Sequence, residues 1–188
     1  MLQTKRADFG AIAERFGIDP VTARVIRNRG IEGMENIERY LYGNLGGLYS
    51  PWLLKDMKPA VEILRQKITA GKRIRIVGDY DIDGVCSTYN LYTALRRLGA
   101  EADYAIPDRI KDGYGINESI IREAHEDEID TILTCDNGIS AFSQISLAKE
   151  FGMTVIVTDH HEVPLDAEAE VIPPADAVVN PKQRDCRY

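Results

Sequence analysis

Arg73-Ile74-Arg75-Ile76-Val77-Gly78-Asp79-Tyr80-Asp81-Ile82-Asp83-Gly84 is the stretch where the pattern of the chain changes. Residues 73–77 read as a short strand, and three carboxylates follow within five residues. After Gly84, Val85 to Leu98 carries a helical pattern that stops at Gly99. Strand, acidic loop and helix in that order open a parallel α/β arrangement. Downstream the pattern recurs. Strands are expected at Ala102–Ile106, Thr131–Thr134 and Thr154–Thr158, with a fifth at Ala177–Val179. Helices are expected from Asn117 to Asp127, where Asn117 is the cap, and from Ser140 to Phe151, ending at Gly152. Strands alternating with crossover helices predict an α/β fold with a mostly parallel sheet and helices on both faces.

Upstream the chain reads as helical. Phe9, Ile12, Ala13 and Phe16 share one helical face, Asp19-Pro20 starts a second helix and Gly30 ends it. Met34, Ile37 and Leu41 continue the period, Gly43 to Ser50 is a glycine-rich loop, and Asp56 to Ala70 is amphipathic. The expected division is therefore a helical N-terminal extension over residues 1–70 and an α/β domain over residues 71–188.

Each of the first four strands runs into an unusual segment at its carboxyl end. These are the Asp79-Tyr80-Asp81-Ile82-Asp83 loop, the segment from Pro107 to Gly115, Asp136-Asn137-Gly138, and Asp159-His160-His161. Open parallel sheets bind ligands outside the carboxyl ends of their strands, so these clusters meet in one crevice. Asp79, Asp81 and Asp83 repel one another unless a cation offsets their charge. An EF-hand does not fit, because position twelve counted from Asp79 is Asn90 and not Glu. Asp136 alone would read as a turn residue; its weight comes from standing on a neighbouring strand end. Adjacent His160 and His161 cannot face one point unless the backbone turns, so one ligand and one substrate contact is the natural split. Asp159 beside them can orient a ring. Carboxylates with imidazole and no thiolate cluster suit manganese or magnesium over structural zinc. Two such ions about 3.5–4 Å apart can clamp a phosphoryl group. Arg109, Lys111 and Tyr114 lie on a strand-end loop, where charge and stacking could meet nucleic acid. His125, among Glu123, Glu126 and Asp127, reads as a solvated helix residue.

A net charge of −7 argues against a generic nucleic-acid-binding module but suits a carboxylate cluster that holds cations. Cys86, Cys135 and Cys186 are widely spaced, neither a disulfide framework nor a zinc pattern, and Cys86 and Cys135 are expected as buried thiols. No run approaches a membrane span, and Met1 to Arg6 is not followed by a signal-peptide core. A cytoplasmic location without membrane contact is the default expectation.

Asp81-Ile82-Asp83, Asp136 and Asp159-His160-His161 resemble the successive motifs of the DHH phosphoesterase superfamily. The longer stretches Gly78–Gly84, Asp112-Gly113-Tyr114-Gly115, Asp136–Ser140 and Val157–His161 resemble its RecJ exonuclease family more specifically, as do Asn180-Pro181 and the lead-in from Arg29 and from Asp56. The resemblance implies a two-metal hydrolase, using Mn2+ or Mg2+, that degrades single-stranded DNA from 5′ to 3′. Repair or replication proteins are its implied protein partners. It implies Asp81, Asp83, Asp136 and His160 as metal ligands, Asp136 as the bridge, His161 as the contact to the scissile phosphate, Asp159 behind the histidines, and Asp79 as a site residue of open role. The family pattern continues with a further Asp and a second domain, both beyond Tyr188, so the expectation is a portion of a longer protein with little activity by itself. Two alternatives stand beside it: a DHH phosphodiesterase for cyclic dinucleotides or oligoribonucleotides, and a non-catalytic DHH scaffold in a replication or repair complex.

Overall fold

A computed structural model describes residues 6–110 and 113–188, and Lys111 lies outside the described residues. The chain divides into two compact units, Met1–Tyr49 and Ser50–Tyr188. In the first, α1 (Phe9–Phe16), α2 (Pro20–Asn28) and α3 (Met34–Tyr42) enclose a core of Ile12, Phe16, Ala23, Ile26 and Ile37. Asp8 caps α1 by accepting from the Ala11 amide, and Asp19 caps α2 through Val21 and Thr22, with Pro20 at the first helical position.

The second unit holds α4 (Met57–Thr69), β1 (Ile74–Val77), α5 (Ile82–Arg97), β2 (Ala102–Ala105), α6 (Glu118–Glu126), β3 (Thr131–Cys135), α7 (Phe142–Glu150) and β4 (Thr154–Thr158). A small antiparallel pair follows, β5 (Leu165–Asp166) with β6 (Ala169–Glu170), and then β7 (Ala177–Val179). Five strands form one sheet in the order β2-β1-β3-β4-β7, every pair parallel. Alternation along the strands separates two cores. Ile74, Ile76, Leu133, Cys135 and Ile156 face Ala60 of α4 and Leu95 of α5. Val77, Ile132, Val155 and Val157 face Ile120 and Ile121 of α6 and Ile145 of α7. Helices thus cover both faces, and the connections leave β1 and β3 in opposite directions, which opens the crevice between their carboxyl ends.

The two compact units part at Tyr49, within the stretch expected as a helical extension over residues 1–70. Met57, Leu64 and Ile68 of α4 pack into the sheet's own core, and the Asp56 carboxylate accepts from the Val178 amide at 3.1 Å. An amphipathic stripe announces that a helix has a partner, not which one. Cys86 also departs from expectation and is exposed, because α5 buries Gly84, Thr88 and Leu95 and turns position 86 outward. Cys135 is buried, and burial pushes its thiol pKa up.

At the amino end of the sheet Arg75 is 7% exposed. It donates to both oxygens of Asp103 at 2.9 and 2.8 Å and to Asp127 at 2.8 Å. Nearby, Lys67 lies 2.6 Å from Asp130.

Candidate metal centre

Strand register delivers the site. Val77 of β1 pairs with Thr134 of β3, Cys135 with Thr158 of β4, and Thr158 with Val179 of β7. The next residues, Asp136, Asp159 and Asn180, therefore stand side by side where the strands end. The backbone bonds Asp136 N–H to Thr158 O and Asp159 N–H to Val179 O carry the ladder one step further.

Asp136 sits at φ 64°, a left-handed conformation that Asp tolerates better than most residues. Its Oδ1 lies 2.7 Å from His160 Nε2, while its Oδ2 is buried without a hydrogen-bond partner among the described residues. Burial raises the Asp136 pKa, the neighbouring Asp81 carboxylate adds to the rise, and His160 opposes it. Asp81 caps α5, accepting from the Gly84 amide at 2.9 Å, and that bond holds its pKa below the ordinary value. Asp83 is exposed and lines the same hollow as Asp136 and His160, a space of about 620 Å³.

Asp159 makes the turn that two adjacent histidines need. Its Oδ1 accepts from the amides of His160 at 2.7 Å and His161 at 3.1 Å and meets His161 Nδ1 at 2.7 Å. Its Oδ2 accepts from the Ile139 amide at 2.9 Å. The Asn180 amide group holds the His161 carbonyl at 3.0 Å from behind. Ligand atoms of Asp136, His160 and His161 all fall within 4.8 Å of one another.

Asp79 is fully buried; Oδ1 accepts from the Gly115 amide at 3.1 Å and Oδ2 has no partner among the described residues. Gly84 lets this loop close, since a Cβ there would lie 2.4 Å from the Asp79 carbonyl oxygen. Of the loop residues expected near the site, Tyr114 reaches it, with its hydroxyl 3.0 Å from His161 Nε2. Arg109 lays its guanidinium 5.4 Å from the centre of the Tyr80 ring. His125 is exposed as expected, but its ring stacks on Phe151 at 4.3 Å.

Asn137 went unrecognised in the sequence, where Asp-Asn-Gly reads as a turn. It is 2% exposed; its Nδ2 donates to the Val77 and Cys135 carbonyls at 3.0 and 2.9 Å, and its Oδ1 accepts from the Ile116 amide at 3.1 Å. It thus ties β1, β3 and the loop after β2 together. The only signal in the sequence was an amide at a strand end, a residue type equally at home in a turn.

The donor set suits a hard divalent cation. Carboxylates and imidazole converge, and among the described residues no thiolate takes part and two buried carboxylate oxygens lack donors. The ligand atoms that converge are those of Asp136, His160 and His161, with Asp83 lining the same hollow; both ring nitrogens of His161 also have partners in Asp159 and Tyr114.

A parallel α/β unit with carboxylates and imidazoles gathered at its strand ends defines the class. Residues 73–187 match the DHH family, N-terminal domain, and the chain belongs to that family. It is similar to the single-stranded-DNA-specific exonuclease RecJ of Bacillus subtilis strain 168, with 38% identity over 178 residues, 95% of this chain and 22% of that protein. The same identity holds to the RecJ exonuclease of Escherichia coli K12 over 173 residues, 91% of this chain and 28% of that protein. The crystal structure of an exonuclease RecJ bound to manganese superposes with a TM-score of 0.64 at 36% identity, covering 73% of this chain and 34% of that one. The chain spans less than a third of the length of these curated relatives.

Proposed function

We propose that this chain carries the metal-holding part of a nuclease that removes nucleotides from single-stranded DNA in the 5′-to-3′ direction. The observation behind this reading is the buried Asp136 carboxylate, set between Asp81 and His160 at the carboxyl ends of the strands with one oxygen unpartnered. Asp81, Asp83, Asp136 and His160 would hold manganese or magnesium. When bound, such ions withdraw electron density from a phosphoryl group and lower the pKa of water toward about 7. Asp159 fixes the His161 ring through Nδ1 and the turn through two amides, which aims His161 at the phosphate. Arg109 and Lys111, in the segment after β2, meet the strand by charge. The relatives named as single-strand-specific exonucleases and the manganese-bound neighbour support both the substrate class and the ion. The chain's net charge of −7 makes the cations doubly useful, since they offset repulsion of an anionic strand. Partners among repair or replication proteins, and a cytoplasmic setting, follow from the same reading; no described helix is long and apolar enough to cross a membrane.

The test uses the natural gene product containing this sequence, offered 5′-labelled single-stranded DNA, duplex DNA and a cyclic dinucleotide in the presence of manganese. Release of label from the single strand, far faster than turnover of the other two, is expected. Preferred turnover of the cyclic dinucleotide would overturn the reading in favour of a small-substrate phosphodiesterase. His160→Ala should weaken manganese binding, and His161→Ala should lower turnover while leaving manganese affinity nearly intact. Equal loss of affinity in both would refute the division of roles.

A further inference from the structure

We propose that Tyr114 is a positioning residue for His161, acting through its hydroxyl and not as a platform on which a base stacks. The proposal rests on the functional reading only for its activity assay. The hydroxyl lies 3.0 Å from His161 Nε2 and 3.0 Å from the backbone carbonyl of Asp136, so one group links the phosphate-facing histidine to the residue at the centre of the carboxylate cluster. Asp159 Oδ1, 2.7 Å from Nδ1, is an acceptor and draws the neutral ring's single proton to Nδ1. Nε2 is then an acceptor, and the Tyr114 hydroxyl, whose oxygen lies 3.0 Å from Nε2 and 3.4 Å from Nδ1, shares its one proton between that ring and the Asp136 carbonyl. His161 has a side chain 45% exposed, and an exposed imidazole held at one nitrogen alone would turn about its free bonds. Partners at both nitrogens give it one orientation.

Tyr114 is itself built into the fold. Its neighbours Gly113 and Gly115 have φ of 78° and 66°, a backbone that side chains rarely adopt. The Gly115 amide is held by buried Asp79 at 3.1 Å and the Ile116 amide by buried Asn137 at 3.1 Å. The ring meets His161 at 5.7 Å and 85° and Tyr80 at 6.2 Å and 89°, both edge to face. This gives the Asp79 carboxylate a purpose within the chain: it fixes the segment from which Tyr114 reaches His161.

Misplacing a reacting group by about 1 Å can cost on the order of a hundredfold in rate. Losing one of two restraints on His161 should therefore show in turnover. Tyr114→Phe keeps the ring and removes the hydroxyl; Tyr114→Leu removes both. In the manganese-loaded gene product, each should lower kcat on single-stranded DNA about tenfold, with KM and manganese affinity within about twofold of the unmutated values. Tyr114→Phe combined with His161→Ala should be no slower than His161→Ala alone, because the hydroxyl acts through that ring. Multiplying losses in the double variant, a silent Tyr114→Phe, or a rise in KM confined to Tyr114→Leu would each overturn the proposal. A second readout needs no catalysis. In metal-free protein, nitrogen-15 spectra of the His161 ring should show the Nδ1–H tautomer, and Tyr114→Phe should move Nε2 toward the shift of a nitrogen that accepts no hydrogen bond. An unchanged Nε2 shift sinks the proposal whatever the substrate proves to be. Absence of DNA cleavage by the unmutated protein would sink the functional reading alone.

Discussion

The two ends of the same sheet treat charge in opposite ways. At the amino end, Arg75 is enclosed by Asp103 and Asp127, and Lys67 meets Asp130, so each carboxylate faces a cation. At the carboxyl end, Asp81 and Asp136 face each other, and oxygens of Asp79 and Asp136 are buried with no donor among the described residues. One arrangement holds the fold together; the other keeps unneutralised charge in a fixed place. A protein that needed only stability would have little reason for the second, since burying a carboxylate beside another destabilises the folded state. The difference marks the carboxyl end as a place where something positive binds.

The largest effect expected from breaking this contrast is on catalysis. Asp136→Ala should lower manganese-dependent cleavage of single-stranded DNA about a thousandfold, ~4 kcal/mol in the transition state, because it removes the buried carboxylate at the centre of the cluster. Steady-state rates across a manganese titration check this, and a rate within tenfold of the unmutated protein would erase the distinction drawn for the carboxyl end. Next comes the ion's effect on stability. Manganese at about a hundredfold over its dissociation constant should stabilise the protein by about 2.7 kcal/mol, a gain that chelation reverses and that Asp136→Ala lacks. Thermal melts with and without the ion decide it. At the other end, Arg75→Leu should cost about 2 kcal/mol in urea unfolding, less than for a fully buried pair because water can reach the freed carboxylates. Asp103 and Asp127 have side chains 38% and 44% exposed. The same variant should bind manganese within about twofold of normal; a larger change would show that the two ends are coupled. The smallest effect has the opposite sign. Without metal, Asp136→Asn should stabilise by about 0.5–1 kcal/mol, since it removes a desolvated charge beside Asp81 and suits φ 64°. A fall in melting temperature would mean that the His160 contact outweighs the repulsion.

The parts of this molecule that announce themselves in sequence are those governed by local chemistry. Asp19-Pro20 is a helix start in the sequence and in the fold, and the short, largely apolar runs at 74–77, 131–134 and 154–158 read as strands buried on both faces. The acidic and histidine clusters were legible because they follow those strands, and strand ends converge in a parallel sheet. What stayed hidden depends on distant partners. That α4 packs with the sheet is decided by Asp56 reaching Val178 across 122 positions. Asn137 draws its importance from Val77 and Ile116, neither of which a turn motif mentions. Tyr114 was legible as an aromatic on a strand-end loop, but the direction of its hydroxyl is set by two glycines and two amide bonds to buried residues. The short β5–β6 pair, at two residues a strand, is too brief for any periodicity to reveal.

The alignment of Asp136, Asp159 and Asn180, each one residue past a paired strand end, makes the bound ion a gauge of assembly. A slip of one position between β3 and β4 would move Asp159 by about 3.3 Å along the strand and turn its side chain to the other face of the sheet. The turn that parts the two histidines would be lost with it, since both amides close on that one carboxylate. A chain collapsed with the wrong pairing could keep its helices, its compactness and much of its buried apolar surface, yet it would present no coherent set of ligands. Uptake of manganese during refolding would therefore time the moment at which neighbouring strands find their correct partners, a step that helix content alone passes over in silence.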